Sequence, residues 1–301
     1  MSEFDLIEEI LQTLGDSAIS EQVRIGPGDD AAVVAAPAGE ELVASIDTLV
    51  GGVHFPEQAD PQLVGYRALM VAVSDLAAMG AAPGYALVAL TLPDADVHWV
   101  RGVAGGLRSA SKDCAVPIVG GNLTAGSVCI SISVHGWIPS GGALTRVGAC
   151  PGDQIYVTGP LGGAAAALAR GGLAGYHEDE LDLLARRYFK PQPRLAVGQA
   201  LRGFATSAID VSDGLLKDLD HICVASDVGA DLVLTEIPVC PGATIEHALS
   251  GGDDYELCFT QGSLVGGTPS GVVRIGQVVE APGLRIDGNP VNASGYEHFA
   301  S

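Results

Sequence analysis

The chain has 301 residues, 48% hydrophobic and 17% charged, enough to bury a sizeable core as one large domain or two of about 150 residues. Its formal charge is −21, from 36 acids against 15 bases of which three are lysines, so it has no clustered Lys and Arg with which to hold a nucleic-acid backbone. The apolar runs stop well short of the ~20 residues of a membrane span, the opening "MSEFDLIEEI" is acidic rather than signal-like, and the six cysteines form no C-x-x-C pair. A cytoplasmic protein with reduced thiols, bound to neither membrane nor nucleic acid, is expected.

The spacing of Leu6, Ile7, Ile10, Leu11 and Leu14 predicts an amphipathic helix over 5–14. In "IGPGDDAAVV" two glycines and a proline precede adjacent aspartates, a tight turn expected to run into a strand over 31–36, with a second strand over 41–47. Asp60-Pro61 supplies an N-cap and a first-turn proline for a helix to about residue 79. "YALVALTL" reads as a strand, 95–113 as a helix, and "PIVGG" and "SVCISISVHGWI" as strands about a glycine-rich turn.

The pattern restarts from Thr145 with the strand "GDQIYVTG", the helix "GGAAAALARGG" and a helix over 178–189 closed by the prolines of "KPQPR". The strand "SAIDV", a helix over 213–226, the strand "DLVLTEI", a helix near 243–249, the strand "YELCFT" and short strands complete the chain. The natural division is into two α/β halves, 1–142 and 143–301.

Five aspartates stand out. Asp47 and Asp210 close apolar strands, at the end where open α/β sheets build their sites. Asp75 interrupts the apolar helix segment "MVAVSDLAAM", where an ionised group is costly unless paired or metal-bound. Asp213 also suits an N-cap, and Asp29 or Asp30 a turn former. Together Asp30, Asp47, Asp75, Asp210 and Asp213 call for divalent cations to offset so many like charges, and oxygen ligands without a Cys/His cluster select Mg²⁺ or Mn²⁺ over zinc. Such magnesium usually binds with substrate phosphates, which points to a nucleotide site.

Two other phosphate-binding schemes fail. A P-loop needs G-K-[ST], and none of Lys112, Lys190 and Lys217 follows a glycine. Gly26, Gly28 and Ala31 match G-x-G-x-x-A, yet that motif must open a helix, whereas "AAVVAAP" reads as a strand and Asp29-Asp30 would repel a pyrophosphate.

Taken in order, "GPGDDAAVV", "SIDTLVGGVHF", "ALMVAVSDLAAMGAAP", "VGGNLTAG", "LTRVGACPGDQIYVTGPLG", "AIDVSDGLLKDLDHI", "SGGDDYELCFT" and "GYEHF" resemble the thiamine-monophosphate kinase family of the aminoimidazole ribonucleotide synthetase-like superfamily. The resemblance implies a two-domain α/β fold of α+β type. Residues 1–142 would form an ATP- and metal-binding half that pairs in a homodimer, and 143–301 a half that completes the active site. It implies phosphorylation of thiamine monophosphate to thiamine diphosphate, with ATP as co-substrate and Mg²⁺ required. On the matching positions it implies metal contacts at Asp30, Ser45, Asp47, Asp75, Asn122, Asp210 and Asp213, nucleotide contacts at Gly121, Arg146 and Ser212, and acceptor contacts at His54, Asp253 and Tyr296. In-line, Mg²⁺-assisted transfer to a substrate phosphate needs no general base, and none is assigned.

The residues leave other roles open: Arg146 as an exposed structural arginine, Tyr296 as a core aromatic, His54 as a packing residue, Asn122 as a turn former. Ile46, Gly51, Asn122 and Asp253 depart from the family pattern, which often carries Thr, Glu, Asp and Glu there. Two rivals to this reading are another ATP-dependent enzyme of the superfamily, and a non-catalytic protein that binds nucleotide or thiamine phosphate.

Overall fold

The computed structural model describes residues 2–262 and 271–298, and its contacts separate into two compact units. The first comprises Met1–Leu76, Ala82–Ser140 and Gly172–Asp182, the second Ala77–Ala81, Gly141–Gly171 and Leu183–Ser301.

The first unit opens with helix α1 (Glu3–Leu14), whose start is a capping box: the Asp5 amide donates to Ser2 Oγ at 3.2 Å and the Ser2 amide to the Asp5 carboxylate at 2.7 Å. Strands β1 (Val23–Ile25) and β2 (Val33–Val34) pair antiparallel around the Gly26–Ala32 turn. There follow β3 (Glu40–Val50), α2 (Pro61–Ala78), β4 (Ala82–Leu92), α3 (Val97–Cys114), β5 (Ile118–Ala125) and β6 (Cys129–Pro139). The Asp60 carboxylate accepts from the Gln62 amide at 2.9 Å at the start of α2. The four long strands form a sheet in the order β3-β6-β4-β5, with only β4 and β5 parallel. Helices α2 and α3 meet at glycines: a Cβ on Gly106 would lie 1.9 Å from the Gln62 carbonyl oxygen.

Burial along the sheet alternates with period two. Ala86, Ile130, Ile132 and Val134 are fully buried, while Leu42, Ile46 and Leu87 point to the other face at 53%, 65% and 37% exposure. The apolar side of "SVCISISVHGWI" is therefore used inside its own unit, and its Ser131 and Ser133 belong to the open face.

The second unit contains β7 (Gln154–Val157), α4 (Gly163–Arg170), α5 (Leu183–Phe189), α6 (Leu195–Leu201), β8 (Ser207–Asp210), α7 (Leu215–Ser226), β9 (Gly229–Leu232), α8 (Ile245–Ser250), β10 (Leu257–Gln261), β11 (Val273–Val279), β12 (Gly283–Ile286) and β13 (Asn289–Val291). The sheet runs β13-β12-β9-β11-β7-β10-β8, which leaves β8 at an edge. Ile155, Val157, Ile209, Leu215, Leu219, Ile222, Ala230 and Ile275 join in one core that packs α7 against the sheet.

Two expectations need correcting, and one helix, α6, was not foreseen. The helix over 178–189 is a 3₁₀ turn at Glu178–Glu180 followed by α5, because the first part is bound elsewhere: His177 Nδ1 lies 2.9 Å from Asp60 Oδ2 and Gln62 donates to Glu178, inside the first unit. The prolines of "KPQPR" stop α5, and α6 begins directly after them. The strand "DLVLTEI" ends at Leu232 and turns into a 3₁₀ segment, Leu234–Glu236. Among the described residues, no helix is long and apolar enough to cross a membrane.

Candidate active site

In the first unit the covered face of β3 brings three of the expected metal positions together. Ser45 and Asp47 project from alternate residues of the strand, and Ser45 Oγ donates to Asp75 Oδ2 on α2. Burial, and next the Asp75 carboxylate, push the Asp47 pKa up to about 6. Past the strand end, the Val50 amide donates to His54 Nδ1 at 3.0 Å, which puts the proton of the neutral ring on Nε2. Gly51 donates its amide to Val128 O at 3.0 Å, and a Cβ there would come within 3.2 Å of the Val128 side chain. Asp30 stands exposed in the turn before β2, and the Asp29 carboxylate accepts from the Asp30 amide at 3.2 Å, so Asp29 shapes the turn.

Gly121 and Asn122 sit on β5. The register aligns Asp47, Ile132, Val88 and Gly121 in one row, and Thr48, Ser131, Ala89 and Asn122 in the next. Because adjacent residues leave opposite faces of a sheet, Asn122 points to the open face, away from Asp47. Gly121 has a packing reason to be glycine: a Cβ would lie 1.9 Å from the Val88 carbonyl oxygen. Ile46, also on the open face, is 65% exposed.

In the second unit three chain segments knit together at the end of β8. Asp210 closes that strand and is buried. The amide of Asp253 donates to the Ser212 carbonyl at 2.8 Å, that of Tyr255 to Val211 at 2.9 Å, and that of Tyr296 to Asp213 at 2.9 Å. Asp253 and Tyr255 adopt φ of 60° and 52°, unusual for residues with a Cβ, and the Tyr255 hydroxyl donates to Asp253 Oδ1 at 2.8 Å. Gly214, not Asp213, occupies the N-cap of α7, and the Asp213 carboxylate instead pairs with Lys217 at 2.9 Å. Tyr296 is 45% exposed, so it is not a core aromatic; the closing Phe299 of "GYEHF" lies outside the described residues.

Arg146 follows Thr145, whose carbonyl accepts from the Ala208 amide of β8 at 2.9 Å. Ser226 at the C-terminal end of α7 donates its hydroxyl to the Arg146 carbonyl at 3.2 Å and accepts from the Gly148 and Ala149 amides. Asp213 precedes the other end of that 12-residue helix, about 18 Å away along its axis.

Three supporting acids escaped the sequence reading. A single oxygen of Asp218 accepts from the amides of Ser212, Asp213 and Gly214 at 2.9, 3.0 and 3.1 Å, which holds the turn that carries two of the site residues. Burial raises its pKa to about 6 although those three bonds oppose the shift. Beside Asp253, both oxygens of buried Asp254 accept from the Gly162 amide at 2.8 Å, and burial lifts its pKa to about 8. Glu256 accepts two bonds from the Arg194 guanidinium, at 2.7 and 2.6 Å, and one from Thr158 Oγ1 at 2.6 Å. The signal for Asp218 was present, an acid in the first turn of a helix; nothing local marked Asp254 or Glu256 as buried.

Among the described residues, no three of His, Cys, Asp and Glu converge closely enough to hold a metal by themselves.

Comparison with known proteins agrees with the geometry. Residues 28–138 match the family model of the AIR synthase related protein, N-terminal domain, and residues 150–288 that of the C-terminal domain. The chain is 42% identical to the thiamine-monophosphate kinase of Escherichia coli, over 99% of this chain and 98% of that one. It superposes on the crystal structure of thiamine-monophosphate kinase from Stenotrophomonas maltophilia with a TM-score of 0.84 at 34% identity, over 97% of this chain and 98% of that one. On the structure of AaThiL complexed with AMPPCP and TMP the TM-score is 0.80 at 30% identity, over 99% of this chain and 97% of that one. With matches that span both halves and run nearly end to end, the chain belongs to the thiamine-monophosphate kinase family of AIR synthase related proteins.

Proposed function

We propose that this protein transfers the γ-phosphoryl group of ATP to thiamine monophosphate, giving ADP and thiamine diphosphate. The observation that carries the reading is the junction just past Asp210 at the end of β8, where Val211, Ser212 and Asp213 are tied by backbone hydrogen bonds to the segments bearing Asp253 and Tyr296. It stands in a chain similar to AaThiL, which has been solved with AMPPCP and TMP.

The donor set fits Mg²⁺, with Mn²⁺ as an alternative. Asp47 and Asp75 are half-buried carboxylates, the charge of Asp75 adds to the cost of ionising Asp47, and a hard cation beside them offsets that repulsion. We assign Asp30, Ser45, Asp47 and Asp75 to metal contacts within the first unit, and Asp210 and Asp213 to metal contacts within the second. When bound, the cation neutralises phosphate charge. Asn122 faces the open side of its sheet, so we assign its contact to a site shared with a second copy of the chain. The same holds for Gly121 through its backbone. Ser212 and Arg146 are assigned to the nucleotide.

The acceptor phosphate is itself a nucleophile near neutral pH, so the protein's task is to place it in line and no side chain need take a proton. His54 suits this task, because the Val50 amide on its Nδ1 fixes the neutral ring with its proton on Nε2, the tautomer that can donate to a phosphate oxygen. Asp253, oriented by Tyr255, faces the cationic part of the acceptor, and the exposed Tyr296 ring offers it a stacking surface.

We also assign a homodimer joined through the open face of the β3-β6-β4-β5 sheet. Leu42, Ile46 and Leu87 leave apolar area there that no other part of the first unit covers. This makes residues 1–142 the nucleotide-binding and pairing half and 143–301 the half that completes the site. Phosphorus NMR of the protein with ATP, Mg²⁺ and thiamine monophosphate tests the reaction. Signals of ADP and thiamine diphosphate should grow together. Intact ATP, or free thiamine consumed as readily as its monophosphate, would overturn it.

A further inference from the structure

One side chain ties the C-terminal segment to the turn between β8 and α7. Lys217, in the first turn of α7, holds Nζ 2.9 Å from Asp213 Oδ2 and also donates to the carbonyl oxygen of Tyr296. The Tyr296 amide returns a bond to the Asp213 carbonyl at 2.9 Å. Gly295 lets the two segments touch: a Cβ there would lie 2.6 Å from the Asp213 carbonyl oxygen and 2.7 Å from Lys217 Cβ. Upstream, Ser294 Oγ sits 2.7 Å from Ser250 Oγ, so the segment is also fastened to the end of α8. The backbone of Tyr296 is thus fixed on both sides, while 45% of the residue is left exposed with its ring against His298 at 4.9 Å.

A lysine suits this place because one ammonium has donors enough for a carboxylate and a carbonyl at once, and its stem packs along glycine. At 21% side-chain exposure for Lys217 and 35% for Asp213, the pair is only partly screened by water. We propose that Lys217 is a positioning residue for the phosphoryl acceptor: by bridging Asp213 and Tyr296 it holds the tyrosine ring in place for the acceptor's aromatic system. This rests on the assignment of Tyr296 to thiamine monophosphate made above.

The test compares Lys217→Met, which keeps the stem and removes the charge, with Lys217→Arg, which keeps the charge. In ligand-free protein, hydrogen exchange at the Tyr296 amide should quicken about tenfold in Lys217→Met, the weight of one hydrogen bond to a charged group. In steady-state kinetics KM for thiamine monophosphate should rise by about the same factor with kcat within about twofold, and Lys217→Arg should restore most of it. Tyr296→Ala should raise that KM as well, and adding Lys217→Met to it should raise it little further.

Unchanged exchange at Tyr296 would overturn the proposal. So would a shift confined to KM for ATP or to the Mg²⁺ requirement, since Lys217 would then serve only the carboxylate. A wild-type protein that fails to turn over thiamine monophosphate, with Tyr296 exchange still faster in Lys217→Met, would place the fault in the assigned reaction and leave the tether standing.

Discussion

Asp47 and Asp254 are both carboxyls pushed up by burial, and they call for different tests. Asp47 lies beside Asp75 with little water to screen the pair. Asp47→Asn keeps the shape and removes the repulsion, so it should stabilise cation-free protein by on the order of 1 kcal/mol and raise its thermal midpoint, while lowering turnover at least about a hundredfold. Calorimetry in a chelator together with the ADP-release rate checks both, and a lowered midpoint would make Asp47 a structural acceptor. Asp254, with its pKa raised to about 8, keeps a proton in the folded state that the unfolded chain loses near pH 4. Its contribution to stability is therefore fully present below about pH 4 and is lost as the pH rises to about 8, with a slope of at most one proton. Urea unfolding across that range should show the decline, and Asp254→Asn should flatten it.

At the level of the element, the start of α7 depends on Asp218 more than on its own N-cap, a glycine with no side-chain bond to give. Asp218→Ala strands three amide donors at once and should cost about 2–4 kcal/mol, because each buried donor left unpaired loses its solvation without a replacement. Asp218→Asn keeps an acceptor oxygen and should retain most of that stability. Denaturant midpoints separate the variants; equal midpoints would mean the turn is held by its neighbours. The β8 edge strand shows the same dependence on partners from elsewhere in the sequence. Its end is set by Val211 and Ser212 accepting from the 253–255 loop, whose positive-φ residues are held in turn by Asp254 on Gly162 and Glu256 on Arg194.

For the whole molecule, the open sheet face is the feature a single chain leaves unexplained. Light scattering at micromolar concentration should give the mass of a dimer, and Ile46→Asp, which puts a charge on an exposed apolar position of that face, should give a monomer that remains folded by circular dichroism. A dimer unaffected by Ile46→Asp would move the interface elsewhere. Because Asn122 shares that face, the monomeric variant should also need more Mg²⁺ for whatever turnover it retains.

What could be read directly from the chain was whatever local rules decide. The helix at Glu3–Leu14, the proline-initiated α2 and the alternation of β6 follow from side-chain periodicity and capping chemistry, and the ordered aspartate motifs pointed to the family that full-length comparison then showed. The tertiary structure decided what depends on partners distant in sequence. It drew 178–182 out of an expected helix by giving His177 and Glu178 partners in the first unit. It turned Asn122 and Asp47 to opposite faces, since a strand's sides are distinguished only once its register is known. It set Lys217 between Asp213 and Tyr296, residues 83 positions apart that only packing brings together. A pattern of period two or 3.6 tells which residues share a face, and only the fold tells what that face meets.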